Sequence, residues 1–183
     1  KMRSRRKGVA PCHVHTYHQG EAGEDTFLVL NNTGNSGETG KGRGNCFGGS
    51  HRGAAAHYFV DEHEICQSVA DTDTAWHCGT SKGYKHSLCR NANSIGIEMC
   101  SRKDQNGNYY LLPDTVARAL SLTKGLMKQY GITADRILRH YDVTGKECPR
   151  PWVRDVSQWK AFLGALTSEE AGKPEEEEGE EMT

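Results

Sequence analysis

The sequence predicts a single α/β domain in which a central mixed β-sheet is flanked by helices. Three features predict this fold: short apolar runs separated by polar turns, a long amphipathic stretch at 113–130, and a second one at 153–166. Short apolar runs bounded by turns are typical of buried strands, and strands interleaved with helices build layered α/β domains. The chain has 183 residues, enough for one domain with its own core.

The predicted strands are short and carry few polar residues, as expected of strands inside a sheet. The polar residues 61–64 predict a hairpin turn between the second and third strands, and Asn106-Gly107 predicts a tight turn further on. The strand segments are 26–30, 56–60, 65–69, 94–100 and 137–139. The Gly-rich and Asn-rich residues 31–44 predict a loop after the first strand.

The clearest helix is predicted at 113–130. Pro113 lies near its start, where a missing N–H costs least, and Gly131 supplies a stop. Its apolar stripe, spaced by three and four residues, consists of Val116, Leu120, Thr123, Leu126, Met127 and Tyr130. A final amphipathic helix is predicted at 153–166 from the same spacing.

The two ends of the chain differ from the domain, which we place at 25–167. Residues 1–24 mix basic residues and histidines and are interpreted as an irregular arm, and the Glu-rich residues 168–183 as a disordered acidic tail. The basic N-terminus is followed by no apolar segment, so no secretory signal is visible. A formal net charge of −1 and the lack of a long apolar run imply neither a nucleic-acid nor a membrane partner.

One segment, RHYDVTGKECP at 139–149, carries residues suited to a metal site. It places His140 at a strand end and Cys148 eight residues later, with Lys146 between them. Zinc accepts both imidazole nitrogen and thiolate, and a loop of this length can bring both to one ion. The same pair taken alone also fits a capping histidine and a buried cysteine. Seven cysteines are an odd number, so a complete disulfide framework is not predicted.

Five stretches in order resemble the type 2 N-acetylmuramoyl-L-alanine amidases, which are related to the peptidoglycan recognition proteins. They are LVLNNTGN at 28–35, AHYFVD at 56–61, AWHCG at 75–79, NSIGIE at 93–98 and the RHYDVTGKECP loop. The resemblance implies that family's mixed α/β fold. It also implies zinc-dependent hydrolysis of the amide between N-acetylmuramic acid and L-alanine in peptidoglycan.

The resemblance assigns a role to each matched position. His140 and Cys148 are expected to bind Zn²⁺, Tyr58 to position the attacking water or the substrate carbonyl, and Lys146 to stabilise the oxyanion. Glu98 is expected to support the site from the central strand. The expected substrate-binding residues are Trp76, His77, Asn32 and Thr33.

The sequence departs from the family at the first metal ligand, where Asn31 occupies the place of a histidine. An amide oxygen is a poor zinc ligand beside imidazole and thiolate, and a catalytic zinc ordinarily has three protein ligands. The sequence therefore leaves two hypotheses: an amidase with a weakened site, or a catalytically impaired peptidoglycan-binding module. A cysteine-nucleophile hydrolase using Cys148 and His140 is disfavoured, since no partner to orient the imidazole is evident.

The resemblance also implies a partner and a place of action. Peptidoglycan is the expected substrate, and the protein is expected to be a monomer that acts on the bacterial cell wall. Its role is expected to be endolysin-like, in a bacterium or a prophage, after synthesis in the cytoplasm.

Overall fold

A computed structural model describes residues 9–11, 18–21, 26–33 and 56–168, the first two ranges by their backbone alone. The strands are β1 (Val9–Pro11), β2 (His18–Glu21), β3 (Phe27–Asn32), β4 (Tyr58–Val60), β5 (Ile65–Gln67), β6 (Asp73–Thr74), β7 (Ser94–Met99), β8 (Arg102–Lys103), β9 (Tyr109–Tyr110) and β10 (Ile137–Arg139). The helices are α1 (Pro113–Tyr130), α2 (His140–Thr144), α3 (Arg150–Arg154) and α4 (Val156–Thr167). The loop predicted at 31–44 begins later than expected, because Asn31 and Asn32 belong to β3, and from residue 34 on it lies outside the described residues.

Six strands form the central sheet in the order β1-β5-β4-β7-β3-β10. The pairs of β3 with β7, β3 with β10, β4 with β7 and β1 with β5 are parallel. The β4–β5 pair is antiparallel, as the predicted hairpin requires. The mixed α/β fold is thereby confirmed.

Two sequence-based expectations about element boundaries are wrong. The segment interpreted as an irregular arm contains β1, which pairs with β5, and β2, which pairs with β6. The final amphipathic stretch is two helices, because the chain leaves helical geometry at Asp155 with φ −119° and ψ 90°. The Asp155 side chain then caps α4 by accepting a hydrogen bond from the backbone N–H of Ser157.

The main core lies between one face of the sheet and helices α1, α3 and α4. Alternate residues of β3 and β7 supply its sheet side. On α1 the most buried positions centre on Ala119, Leu122 and Leu126, so the buried stripe is rotated slightly from the predicted one. The rings of Trp152 and Phe162, 4.7 Å apart, close the core beneath α3 and α4.

The opposite face of the sheet carries a smaller apolar cluster. Phe27 and Val29 of β3 contact Cys78, Cys89 and Val143 there. Because side chains alternate along a strand, Asn31 follows Val29 on this second face. In the part of the chain that the structure describes, no helix is long and apolar enough to cross a membrane.

Candidate active site

Three candidate site residues meet where neighbouring parallel strands end. Asn31 lies near the end of β3 and is in register with Glu98 of β7, so both side chains project from the same face. His140 directly follows β10, which pairs with β3 on its other side. The carboxyl edge of a parallel sheet is where α/β proteins commonly place ligands.

His140 is held with one ring nitrogen paired and the other unpaired. The side chain is buried, and its ring donates a hydrogen bond to the backbone carbonyl of Gly79. Its Nε2 atom is also buried and has no hydrogen-bond partner among the described residues. Burial and the charge of Lys146 lower the pKa of His140 to about 4, so the imidazole is neutral at neutral pH. A neutral imidazole with one nitrogen fixed to a carbonyl is the usual form of a metal ligand.

Cys148 lies against the end of β3. Its Sγ atom accepts a hydrogen bond from the backbone N–H of Asn32 at 3.4 Å and is 3.8 Å from Oδ1 of Asn31. Burial first, and then the nearby Glu98 carboxylate, raise the pKa of Cys148 to about 12. The thiol is therefore protonated at neutral pH when no cation is bound.

The Asn31 amide is oriented by its own strand. Nδ2 donates to the backbone carbonyl of Val29 at 3.3 Å, and Oδ1 faces the Cys148 thiol. The side chain is buried, at 2% exposure. An amide oxygen thus occupies the position beside Cys148 where a histidine ligand was expected.

Lys146 and Glu98 complete the charges of the site. Lys146 is exposed, yet its charge lowers the pKa values of Glu98, His140 and Cys148, which places all three side chains within its electrostatic reach. Burial outweighs this effect at Glu98 and raises its pKa to about 7. A carboxyl group with that pKa can take up and release a proton near neutral pH.

Backbone and side-chain bonds hold the loop that carries these residues. The N–H of Tyr141 donates to the carbonyl of Cys148 at 2.9 Å, which ties the start of α2 to the end of the loop. The buried Arg139 donates to the Asp142 carboxylate at 2.8 Å and to the carbonyl of Trp152 at 3.0 Å. Arg139 thus links the loop to the aromatic core.

The prediction that Tyr58 faces the site is wrong. Tyr58 is in register with Ile97, and its neighbour Phe59 is in register with Glu98, so Tyr58 projects from the opposite face. Its ring is buried in the main core, and its hydroxyl donates to Asp71 at 2.7 Å.

The other predicted substrate-binding residues occupy different environments. Trp76 is 43% exposed, whereas His77 is buried with Nε2 3.1 Å from the hydroxyl of Ser94. Asn32 and Thr33 are also buried. Asn32 donates to Ser101 at 3.0 Å, and Thr33 accepts from the Ser101 N–H at 3.2 Å. Of the four, only Trp76 presents its side chain to solvent.

Sequence reasoning missed the residues that support His140 and His77. The Gly79 carbonyl bonds His140, and Oδ1 of Asn91 accepts from the backbone N–H of His77 at 3.1 Å. A side chain at Gly96 would meet the His77 ring at 2.3 Å, so this strand position leaves room for the imidazole. A backbone carbonyl that binds a side chain, or a strand that passes close to a ring, cannot be recognised from the residue types in the sequence.

A catalytic zinc ion ordinarily has three protein ligands. Among the described residues, no three His, Cys, Asp or Glu side chains are grouped as a metal site. His140 and Cys148 are nevertheless suitable donors, and the unpartnered Nε2 of His140 is what a bound cation would satisfy. Imidazole nitrogen and thiolate are donors that zinc accepts, and the Asn31 amide oxygen beside Cys148 is a weaker one.

Comparisons with known proteins identify the family of this chain. A family profile described as N-acetylmuramoyl-L-alanine amidase matches residues 21–151. A probable N-acetylmuramoyl-L-alanine amidase of Bacillus licheniformis is 44% identical over 64% of this chain and 33% of its own length. The amidase CwlL of the same species is 39% identical over 68% of this chain and 34% of its own length. The chain spans about a third of the length of these curated relatives.

Solved structures show the same fold. The catalytic domain of XlyA superimposes with a TM-score of 0.65 at 24% identity, covering 86% of this chain and 98% of that domain. A mutant endolysin from Bacillus subtilis gives a TM-score of 0.64 at 24% identity, covering 86% of this chain and 96% of the other.

Proposed function

The chain belongs to the N-acetylmuramoyl-L-alanine amidase family, and from that premise we propose that this domain hydrolyses the amide between N-acetylmuramic acid and L-alanine in peptidoglycan. The observation that carries the proposal is the arrangement at the carboxyl edge of the sheet. There an unpartnered imidazole nitrogen, a buried thiol and a half-buried carboxyl group all lie within electrostatic reach of Lys146.

We further propose that Zn²⁺ is the cofactor. His140 and Cys148 would hold the ion, with the Asn31 amide oxygen as third donor. When bound, the ion would polarise the substrate carbonyl and lower the pKa of a water molecule toward about 7. The carbonyl of Gly79 fixes the His140 ring so that Nε2 remains the donor atom.

Glu98 is the residue placed to move protons. Its carboxyl group shares a face with Asn31 and has a pKa raised to about 7 by burial. In the ionised form it accepts a proton from the attacking water, and it then returns that proton to the leaving amine. This assigns Glu98 a direct part in proton transfer, beyond the supporting role expected from the sequence.

Lys146 and Trp76 act on the substrate. The Lys146 ammonium is exposed at the mouth of the site, where it stabilises the negative charge that develops on the carbonyl oxygen. One such preorganised donor contributes about 3 kcal/mol to transition-state stabilisation. The exposed Trp76 ring offers an apolar surface for a sugar or a stem-peptide side chain.

The second candidate function is peptidoglycan binding without turnover. It is favoured by Asn31, because a zinc site with two strong protein donors holds the ion less tightly than one with three. In that case the domain would still bind peptidoglycan, and hydrolysis would be slow or absent.

One experiment separates the two functions. Purified bacterial sacculi are incubated with the domain and Zn²⁺, and newly exposed L-alanine amino groups and new reducing sugar ends are both counted. An amidase releases the amino groups and no reducing ends. Sacculi that retain the protein without new amino groups, including at saturating Zn²⁺, would instead establish the binding function.

The site of action follows from the substrate. The proposed substrate places the protein at the bacterial cell wall, in wall turnover or in endolysin-like lysis.

A further inference from the structure

Cys78 and Cys89 form a buried thiol pair outside the catalytic arrangement. Both side chains are 0% exposed, both are free thiols, and both lie in the small apolar cluster on the site face of the sheet. Each thiol shifts the pKa of the other, and both lie near the Ser94 hydroxyl. The two sulfur atoms are therefore neighbours although eleven positions separate them in the sequence.

The backbone around the pair is held in place on both sides. Oδ1 of Asn91 accepts from the Cys78 N–H at 2.9 Å and lies 3.3 Å from its Sγ. The N–H of Cys89 donates to Nδ1 of His86 at 2.9 Å. The hydroxyl of Ser94 is 3.9 Å from Cys78 Sγ and also contacts Cys89. A disulfide requires neighbouring Cβ atoms, and these contacts hold the backbones of both cysteines in place.

We propose that Cys78 and Cys89 are a disulfide-forming pair that covalently closes the segment between them when the protein meets an oxidised thiol–disulfide couple. Cys100 of the same chain is disulfide-bonded, so the protein already carries oxidised sulfur. Cys148 differs, because its sulfur contacts Asn31 and Asn32 and is assigned to the metal.

The oxidation proceeds by thiol–disulfide exchange. When the segment opens locally and exposes Cys89, its thiolate attacks one sulfur of a small-molecule disulfide, forming a mixed disulfide and releasing one thiolate. Cys78 then loses its proton and attacks the Cys89 sulfur, which forms the Cys78–Cys89 bond and releases the second thiolate. Two protein thiols are oxidised and one external disulfide is reduced to two thiols. The hydrogen bond from Cys78 lowers the pKa of Cys89, which agrees with Cys89 being the attacking group.

The bond would stabilise the segment that orients the metal ligand. Gly79, next to Cys78, provides the carbonyl that pairs with the His140 ring, and Lys85 within the segment lies 4.6 Å from the centre of the Tyr141 ring. A disulfide across residues 78–89 would therefore restrict the movement of the Gly79 carbonyl. This consequence rests on the proposed function, whereas formation of the disulfide does not.

The test is peptide mapping of the full chain after incubation with oxidised or reduced glutathione. Trypsin cleaves after Lys82 and Lys85, so Cys78 and Cys89 fall in separate peptides. Oxidised protein is expected to give residues 53–82 joined to residues 86–90, with fragmentation placing the bond at Cys78 and not at Cys66 of the same peptide, and the joined species should disappear on reduction. The proposal would be overturned if, after incubation with oxidised glutathione, Cys78 and Cys89 were both still alkylated while Cys100 remained disulfide-bonded.

Thermal unfolding provides a second readout that does not depend on activity. Closing a twelve-residue loop should raise the midpoint by about 5–10 °C in oxidised protein. Cys89→Ala is the matched control, because it retains Cys100 and should lose this part of the oxidation-dependent shift. Equal shifts in wild type and Cys89→Ala would contradict the proposal. A joined peptide in a domain that never hydrolyses sacculi would sustain this inference while refuting the amidase proposal.

Discussion

The amide oxygen of Asn31 lies 3.8 Å from the sulfur of Cys148, with its amide nitrogen bonded to the Val29 carbonyl. In the proposed zinc site, this contact occupies the place of the third strong donor. On that proposal, the affinity for zinc decides between hydrolysis and binding without turnover.

Asn31→His should therefore raise zinc affinity. A second imidazole, as the third strong donor, replaces a weak amide donor, and we expect a gain of at least about tenfold. Competition against a chromophoric chelator measures it directly. Asn31→Ala is the control, since it removes the amide oxygen and should bind zinc no better than wild type. Equal affinities for the histidine variant and wild type would remove Asn31 from the metal site.

Zinc binding near neutral pH should release about one proton per ion. The proton comes from Cys148, whose pKa of about 12 keeps it protonated without metal, while His140, with a pKa of about 4, has none to lose. Calorimetry in buffers of different ionisation enthalpy measures the number of protons released per zinc ion. Cys148→Ser should abolish the release, and a release that persists in this variant would assign it to another group.

Glu98→Gln should lower kcat by a factor of about 10²–10⁴ with little change in zinc affinity. In wild type, kcat/KM should rise with pH up to about 7, where the Glu98 carboxyl group ionises. A variant that loses zinc along with activity would show that Glu98 only supports the site.

The same carboxyl group should affect stability with a defined sign. Its pKa is raised from 4.5 to about 7 in the fold, so the folded state holds the proton more tightly than the unfolded state. The contribution of Glu98 to the free energy of unfolding therefore falls as the pH rises from 4.5 through about 7. It is smallest above that pH. Urea unfolding at several pH values checks this, and Glu98→Gln should flatten the dependence. An unchanged slope in the variant would point to other groups.

Tyr58→Phe should reduce stability and leave activity within a few-fold of wild type. The variant loses the hydroxyl bond to Asp71, worth about 1 kcal/mol of unfolding free energy. Tyr110→Phe, at a position 43% exposed, is the control and should change neither property. A hundredfold loss of activity at unchanged stability would return Tyr58 to the catalytic site.

Gly96→Ala should destabilise the domain by more than about 3 kcal/mol, because the new methyl group would meet the His77 ring at 2.3 Å. Gly164→Ala in α4, where nothing lies within 4 Å of the added atom, should instead be neutral or stabilising. Chemical denaturation of both variants provides the comparison. Similar free energies would mean that the strand shifts to accept the methyl group.

The sequence was sufficient for the class of fold and for the positions of the long helix and most strands, because their apolar patterns and turns are local signals. It could not give the direction of the Tyr58 side chain. All three residues of β4 are buried, so no polar alternation identifies the face. The break at Asp155 was missed because the apolar spacing continues across it, and only the capping bond distinguishes the two helices.

The link from Arg139 to Asp142 and to the carbonyl of Trp152 has a consequence for engineering this domain. Substitutions beneath α3 that loosen the tryptophan would be transmitted through the guanidinium to the turn that presents the histidine and the thiol. Variants selected only for a better-packed interior can thus alter metal retention without touching a ligand, and both properties need to be assayed together.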